Sequence, residues 1–253
     1  MEDPREMEAL LQSLARYDAP TLANAIETFD LQPRDVGFAD SRIRCIFPEL
    51  GRMVGFAATA TIVARGAPGP EWGGAGNEAL YAHVRTVAGP RVVVVKDLDD
   101  PPAHGSLWGE VHATIFSALG CVGCVTDGAV RDLDEARRMG FHFFAAGPSV
   151  SHAYVRVETV GEPIEIGGLV VSPGDLLHAD QHGVLKIPLE IAAELPAAAE
   201  RVIETEQALL RWVRSDDFDP DRLAEMRARH RTPGHPGCSD PSTNPGRAYA
   251  GSG

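Results

Sequence analysis

The chain of 253 residues carries a formal net charge of −13, with 44 % hydrophobic and 23 % charged residues. This length allows one large domain or two small ones, and the ordinary composition is typical of a globular protein with a proper core. The acidic balance and the lack of a Lys/Arg run argue against nucleic-acid binding. No apolar stretch approaches the roughly 20 residues of a membrane span, and the acidic N-terminus lacks a signal-peptide region. We therefore expect a cytoplasmic protein.

The first half of the chain predicts two helices followed by alternating strands and helices. Apolar residues at helical spacing predict a helix over 5–16, and a second helix opens at Pro20, with Thr21 as its candidate cap. The later elements of this half are strands within 51–65, a Gly/Pro-rich loop at 67–76, a helix over 77–87, a buried strand over 91–96, a loop at 97–108, a helix over 109–119 and a buried strand over 121–126.

The second half predicts one short helix, a mainly β region and a long final helix. Its elements are a turn at Asp127–Gly128, a helix over 133–139, a short strand over 141–145, strands over 154–160, 164–166, 169–171 and 183–187, and a helix over roughly 189–213. His178, Asp180 and His182 are interpreted as part of a turn. Because the segment 231–253 is rich in Pro, Gly and Ser, we expect one mixed-sheet α/β domain over 1–230 and a flexible tail.

Several common site types are not indicated. Cys121 and Cys124 have the CxxC spacing, but no second pair lies nearby to complete a zinc site. Their place in an apolar run favours buried core cysteines, with a metal or redox role as the alternative. The sequence has no GxGxxG, P-loop or GxSxG motif, and the nine histidines are scattered.

The block Thr126-Asp-Gly-Ala-Val-Arg-Asp132 follows a buried strand, where open α/β sheets tend to bind ligands. Arg131 suits bidentate recognition of a carboxylate, and Asp132 is a hard oxygen ligand for Mg²⁺ or Mn²⁺. The pair could therefore hold an anionic substrate beside a divalent ion. From spacing alone, the favoured interpretation is a solvated pair at the start of the next helix, with Asp132 as its cap.

The block Trp108-Gly-Glu-Val-His112 opens a predicted helix behind a glycine. Free backbone N–H groups at such a helix start favour an anion, and Glu110 could orient water or accept a proton. The alternative is an ordinary acid in a first helical turn. These two blocks are the candidate chemistry of the chain.

The chain resembles the RraA-like family in three segments, WGEVHATIFSALGCVGCVTDGAVRD, FFAAGPSVSHAY and PIEIGGLVVSPGDLLHADQHGVLKIP. That family includes the 4-hydroxy-4-methyl-2-oxoglutarate and 4-carboxy-4-hydroxy-2-oxoadipate aldolases and the regulator of ribonuclease E activity. The resemblance covers about residues 18–213 and is strongest over 108–188. It implies a swivelling β/β/α sandwich with N-terminal helices and a long C-terminal helix, assembled into homotrimers or homohexamers with sites between subunits.

The resemblance also implies roles for individual residues. Arg131 would bind the carboxylate and keto oxygen of a pyruvate unit, and Asp132 would ligate Mg²⁺ or Mn²⁺. The turn Gly109–His112 would supply backbone N–H groups to the substrate carboxylate, with Glu110 as the acid/base acting through a water. His112 stands where the family pattern has leucine, which makes the pocket more polar. Glu206, or alternatively Glu204, is the candidate acid from a neighbouring subunit.

The implied activity is that of a class II pyruvate aldolase, a carbon–carbon lyase that cleaves a 4-hydroxy-2-oxo acid. A divalent ion polarises the keto group, an enolate of pyruvate forms, and oxaloacetate decarboxylation is the expected companion activity. The partners expected are a small 2-oxo acid and further copies of the chain, with neither nucleic acid nor membrane. The alternative is a non-enzymatic regulator that binds an RNA-processing ribonuclease. A methyltransferase is disfavoured because no glycine-rich cofactor loop is present.

Overall fold

The computed structural model describes residues 4–230; the predicted tail at 231–253 and residues 1–3 lie outside the described residues. The helices are α1 Pro4–Leu14, α2 Ala19–Glu27, α3 Gly76–Val84, α4 Glu110–Ala118, α5 Leu133–Met139, α6 Leu195–Val213 and α7 Leu223–Arg229. The strands are β1 Arg44–Cys45, β2 Met53–Val63, β3 Arg91–Asp97, β4 Cys121–Thr126, β5 Ala129–Val130, β6 His142–Ala145, β7 Gly147–Pro148, β8 Arg156–Val160, β9 Ile164–Ile166, β10 Leu169–Val171, β11 Leu176–Asp180 and β12 Gly183–Ile187.

An eight-stranded mixed sheet organises the molecule, in the order β1-β6-β4-β3-β2-β11-β12 with β8 also paired to β2. Strands β2, β3, β4 and β6 run parallel, whereas β1, β8, β11 and β12 join antiparallel. Two small sheets, β9–β10 and β5–β7, complete the described β structure. The mixed sheet predicted from the sequence is confirmed.

The central strands are buried on both faces, which explains their continuous apolar runs. Val93 and Val95 on one face of β3 belong to a core shared with the helices. Val92 and Val94 on the other face belong to a second core, which includes Ile166 of β9 and residues of β10. The layers are therefore a small β sheet, the central sheet and the helices. This arrangement agrees with the predicted β/β/α sandwich.

The helices α1 and α2, near the start of the described residues, and the later helix α6 pack on one side of the sheet. The cap of α2 is Asp18, whose side chain accepts a hydrogen bond from the backbone N–H of Thr21. The prediction of Thr21 as the cap was therefore wrong. The long helix α6 begins at Leu195, because residues 189–191 form a separate 3-10 turn. Among residues 4–230, no helix combines the length and the apolar character that a bilayer crossing requires.

The segment interpreted as a turn around His178 is largely a strand. His178 and Asp180 lie in β11 and are 0 % and 4 % exposed, and only His182 falls in the turn beyond it. His178 Nε2 lies 3.0 Å from the carbonyl oxygen of Tyr17, and Asp180 Oδ2 accepts a hydrogen bond from the backbone N–H of Ala19. These polar residues are buried because the connection between α1 and α2 supplies their partners.

Candidate functional site

The two chemical blocks meet because they follow neighbouring parallel strands. Strands β3 and β4 pair in parallel, with Val95 opposite Thr126, so that their carboxyl ends reach the same edge of the sheet. The loop after β3 leads to α4, and the loop after β4 leads to α5. This edge is where ligands of open α/β sheets usually bind.

At this edge the structure brings together Gly109, Glu110, Arg131 and Asp132. Asp132 Oδ2 accepts a hydrogen bond of 3.0 Å from the backbone N–H of Glu110. Arg131 Nε lies 3.9 Å from the same oxygen, and both side chains are 36 % exposed. A Cβ atom on Gly109 would lie 2.5 Å from Asp132 Oδ2 and 3.2 Å from Arg131 Nε. Only a glycine at position 109 leaves room for this arrangement.

The two loops are joined below the site by backbone contacts. Trp108 and Val130 form an isolated parallel β-bridge, and the N–H of Arg131 donates to the Trp108 carbonyl at 3.1 Å. The hydroxyl of Ser106, which is 2 % exposed, lies 2.6 Å from the Trp108 carbonyl and 2.8 Å from that of Ala129. The positions of Gly109 and Arg131 are therefore fixed relative to each other. The sequence interpretation did not identify Ser106.

Asp132 has an unusual backbone conformation at the start of α5. Its φ of 53° and ψ of 48° are in the left-handed region, which few residues other than glycine, asparagine and aspartate adopt. It occupies the cap position, but its side chain makes no capping hydrogen bond. The carboxylate is directed to Glu110 instead, so the interpretation as an ordinary helix cap does not describe it.

Further acids support the loops at this edge and were missed in the sequence interpretation. Asp97, at the end of β3, accepts hydrogen bonds from the backbone N–H groups of Asp99 and Ala103. Asp127 accepts one from the N–H of Asp97 at 2.7 Å. Burial raises the pKa of both Asp97 and Asp127. The cluster of acids at Asp97–Asp100 is the feature of the sequence that could have indicated this role.

His112 and Val111 differ in their surroundings although both lie in the first turn of α4. The His112 ring packs against Phe116, with centroids 6.0 Å apart, and near Tyr81. Burial lowers the pKa of His112, and the nearby charge of Arg131 acts in the same direction. Val111 is 68 % exposed. His112 is therefore a neutral part of an aromatic cluster beside the site, and Val111 faces outwards.

Within one chain, the structure does not bring Glu206 to the other predicted residues. Glu206 lies on α6, where its carboxylate accepts a hydrogen bond of 3.2 Å from the Asn24 side chain of α2. Glu204 is also exposed on α6. A role for either acid beside Arg131 would thus need a second copy of the chain.

The oxygen donors at the site suit a partly solvated divalent ion. Among residues 4–230, no group of three or more His, Cys, Asp and Glu side chains could enclose a metal. Mg²⁺ is, however, commonly held by one or two carboxylates, with water and substrate completing its shell. Asp132 supplies a carboxylate of this kind, and Glu110, whose backbone N–H contacts it, carries a second carboxylate on an exposed side chain. The donor set therefore fits such an ion, but not a site built from protein ligands alone.

The CxxC pair has the properties of core cysteines. Cys121 and Cys124 are 5 % and 0 % exposed. Burial raises the pKa of Cys121 to about 12 and that of Cys124 well above its ordinary value. Metal binding and disulfide exchange require the thiolate, so a protonated buried thiol favours neither.

Comparison with known proteins gives a consistent family and fold. A family model described as "RraA-like: Aldolase/RraA" matches residues 19–185. The "Putative 4-hydroxy-4-methyl-2-oxoglutarate aldolase" of Halalkalibacterium halodurans is 30 % identical over 102 residues, which are 40 % of this chain and 48 % of that protein. Protein DlpA of Legionella pneumophila is 33 % identical over 85 residues, which are 33 % of this chain and 14 % of that protein. The match thus spans less than half of either relative.

Two solved structures share the fold over most of their length. An uncharacterized protein from Pseudomonas syringae pv. tomato has a TM-score of 0.67 and 22 % identity, covering 88 % of this chain and 94 % of that one. Streptomyces coelicolor RraAS2, described as an unusual member of the RNase ES inhibitor RraA protein family, has a TM-score of 0.63 and 24 % identity, covering 79 % and 94 %. At these identities the likeness establishes the fold.

Proposed function

Because the chain belongs to the RraA-like family, which includes aldolases as well as regulators, we propose that it is a divalent-metal-dependent lyase. Its substrate is a 4-hydroxy-2-oxo acid, which it cleaves to pyruvate, and it also decarboxylates oxaloacetate. The observation that carries this proposal is the contact of Asp132 with the start of α4 beside Arg131. This contact places a cationic fork, hard oxygen donors and a helix N-terminus within one small site.

Arg131 is the substrate-binding cation in this proposal. Its guanidinium is accessible, and a planar fork of N–H donors matches a carboxylate and an adjacent keto oxygen. When the carbon–carbon bond beyond the keto group breaks, negative charge develops on that oxygen. Arg131 stabilises this charge as it forms, which is usually the largest contribution to such catalysis.

The first turn of α4 supplies the second set of donors. The N–H of Glu110 is occupied by Asp132, and the first intrahelical bond runs from Ala113 to Gly109. The N–H groups of Val111 and His112 therefore have no intrahelical partner and remain for the substrate carboxylate. The Glu110 side chain, which is exposed next to them, moves the proton, acting through a water.

Asp132, with Glu110 through a water, would hold Mg²⁺ or Mn²⁺. When bound, this ion would supply Lewis-acid polarisation of the 2-keto group. The protein contributes the position of the carboxylate, which the Glu110 N–H holds in one orientation.

The complete site would require a second copy of the chain. We propose a homotrimer or homohexamer in which Glu206 of a neighbouring copy approaches Arg131. In support, Val111 in the first turn of α4 and Val150, which follows the strand β7 paired with β5, are 68 % and 100 % exposed, as expected for apolar residues that another surface covers. We also propose that residues 1–230 act as one domain, because a single apolar cluster extends from Leu10 to Val202.

A coupled assay tests this proposal. The purified protein is incubated with oxaloacetate and Mg²⁺ or Mn²⁺, and pyruvate is followed with lactate dehydrogenase, with and without EDTA. We expect pyruvate formation above the metal-only background, lost with EDTA and in Arg131→Ala. Arg138→Ala, which removes an exposed arginine of α5 paired with Glu135, serves as the matched control and should retain activity.

Two results would contradict the lyase. One is turnover in Arg131→Ala equal to that of the unmodified protein. The other is the absence of pyruvate above background from oxaloacetate and from 4-hydroxy-2-oxo acids. The second result would favour the alternative of a regulator that binds an RNA-processing ribonuclease, and the same protein would then be tested in a pull-down with a ribonuclease E-like partner.

A further inference from the structure

A cavity of about 1030 Å³ opens at the opposite end of the sheet from Arg131 and Asp132. It lies under α1, where β3, β4 and β6 begin, and its lining includes Pro90, Cys121 and His142. Its volume is at the upper end of the range of about 300–1000 Å³ that is usual for small-molecule sites. The proposed lyase chemistry uses none of the residues that line it.

Most of the lining is apolar and adaptable. Leu11 of α1, Met53 of β2 and Phe141, with Met7 and Met139 at other points of the wall, provide a long hydrophobic surface. Methionine side chains fill irregular spaces and accommodate ligands of different shape. Such a surface suits an extended apolar body better than a compact polar metabolite.

Arg52 is the basic side chain of this lining. Arg52 forms no salt bridge within residues 4–230, and its Nη1 donates to the carbonyl of Ala15 at 3.2 Å, at the end of α1. This bond orients the guanidinium, whose charge also acts on the carboxylate of Asp18, and the other N–H groups of Arg52 can donate to a further acceptor. Glu8 is the acid of the described lining, and it accepts a hydrogen bond from Gln12.

A buried histidine supplies a second polar group. His142 is 8 % exposed and lines the cavity, and its Nδ1 is buried without a hydrogen-bond partner among the described residues. Burial lowers the pKa of His142, so the imidazole is neutral near pH 7. Buried polar atoms without partners are rare in folded proteins, and an ordered water is a common partner for them.

We propose that this cavity is a second ligand site, which binds a monocarboxylate with an extended apolar chain. The carboxylate contacts Arg52 at the mouth, and the chain extends along Leu11, Met53 and Phe141. The polarity of the site follows from this geometry. The Arg52 guanidinium gives a carboxylate a partner that a neutral molecule of equal size does not use, and the mainly apolar interior accommodates the chain.

Decanoate and the matched neutral decan-1-ol are the probes, titrated calorimetrically into the full-length protein. We expect one decanoate per chain. Arg52→Gln should weaken decanoate binding about tenfold, which is the usual effect of losing one charge-assisted contact, without weakening decan-1-ol. Ser117→Trp and Gln12→Trp, at two exposed positions of the lining, fill the cavity from α4 and α1 and should each abolish binding of both probes.

Arg227→Gln, an exposed position on α7, is the charge-matched control and should bind decanoate as the unmodified protein does. Equal weakening in Arg52→Gln and Arg227→Gln would overturn the proposal, as would decanoate uptake that does not saturate. Binding that persists in both tryptophan variants would also overturn it. Pyruvate formation is not the readout, so the result is independent of the lyase proposal.

Discussion

Asp132 Oδ2 and the backbone nitrogen of Glu110 lie 3.0 Å apart, although the two residues belong to different loops and start different helices. One carboxylate oxygen therefore connects the end of the β4 loop to the start of α4. This bond fixes the position of Asp132, which we propose as the metal ligand, relative to the first turn of α4, which we propose for the substrate carboxylate. Substitutions at Gly109, Asp132 and Ser106 should each disturb these relative positions.

Gly109→Ala should inactivate the site at a small cost in stability. The added methyl group would lie 2.5 Å from Asp132 Oδ2 and 3.2 Å from Arg131 Nε, so both partly exposed side chains must move. Displacements of this size commonly reduce turnover by about a hundredfold. Oxaloacetate decarboxylation measures the loss, and thermal unfolding measures the stability. Gly147→Ala, whose methyl group would meet no atom within 4 Å, should change neither.

Asp132→Asn and Asp132→Ala should have different effects on folding and the same effect on activity. Asparagine tolerates the left-handed backbone and its amide oxygen can accept the Glu110 N–H, whereas alanine loses this bond and destabilises that backbone by about 1–2 kcal/mol. Urea unfolding should therefore show a loss only in the alanine variant. Metal-dependent pyruvate formation should fall in both, and an active Asp132→Asn would argue against a metal role.

Ser106→Ala should weaken the connection between the two loops. The substitution removes the buried hydroxyl that lies within hydrogen-bond distance of the Trp108 and Ala129 carbonyls, whose single proton it can share between them, and that accepts from the Trp108 N–H. Leaving a buried acceptor without its partner costs about 1–3 kcal/mol in the free energy of unfolding, which urea titration measures. Ser117→Ala, on the exposed face of α4, is the control. A variant as stable as this control would mean that the loops keep their positions without the hydroxyl.

The stability of the fold should decrease in mild acid because of His178. Burial lowers the pKa of this histidine to about 4, against an ordinary value of 6.5, so the unfolded chain binds a proton more readily than the folded one between these pH values. The stabilisation that results from the lowered pKa of His178 is complete above pH 6.5 and is lost as the pH falls towards 4. The free energy of unfolding decreases by about 3 kcal/mol in total over this range.

His178→Gln tests this assignment. Glutamine can still donate to the Tyr17 carbonyl but does not titrate, so its unfolding free energy should depend less on pH between 4 and 6.5. His104→Gln, at an exposed loop position, should follow the unmodified protein. Parallel curves for all three proteins across this range would show that other groups cause the acid sensitivity.

Elements with strong periodic patterns were predicted well from the sequence. The run of valines in β3 and the segment Cys121–Thr126 have the predicted bounds within a residue, because strands buried on both faces are apolar throughout. The prediction for β11 was wrong, since His178 and Asp180 resemble turn residues in sequence. Their burial depends on partners about 160 residues away, which local pattern cannot reveal.

The candidate site could likewise be predicted only where it depends on local sequence. Arg131, Asp132 and Glu110 were selected from their local chemistry and a family resemblance, and the structure places them together. The direction of the Asp132 carboxylate could not be predicted. Its partner lies 22 residues away, and the contact depends on the parallel pairing of β3 with β4 and on the Trp108–Val130 bridge.

The bridge between Trp108 and Val130 fixes the backbone next to Gly109 and Arg131 but not the exposed side chains around them. Gly109 and Arg131 stand on backbone that Ser106 and the bridge fix from below, whereas the side chains of Val111 and Val150 are exposed within one chain. Substitutions at these exposed positions can alter which molecule fits without displacing the backbone of Gly109 and Arg131. For the lyase that we propose, a preference for a new oxo acid could therefore be selected in the laboratory by randomising Val111 and Val150 alone.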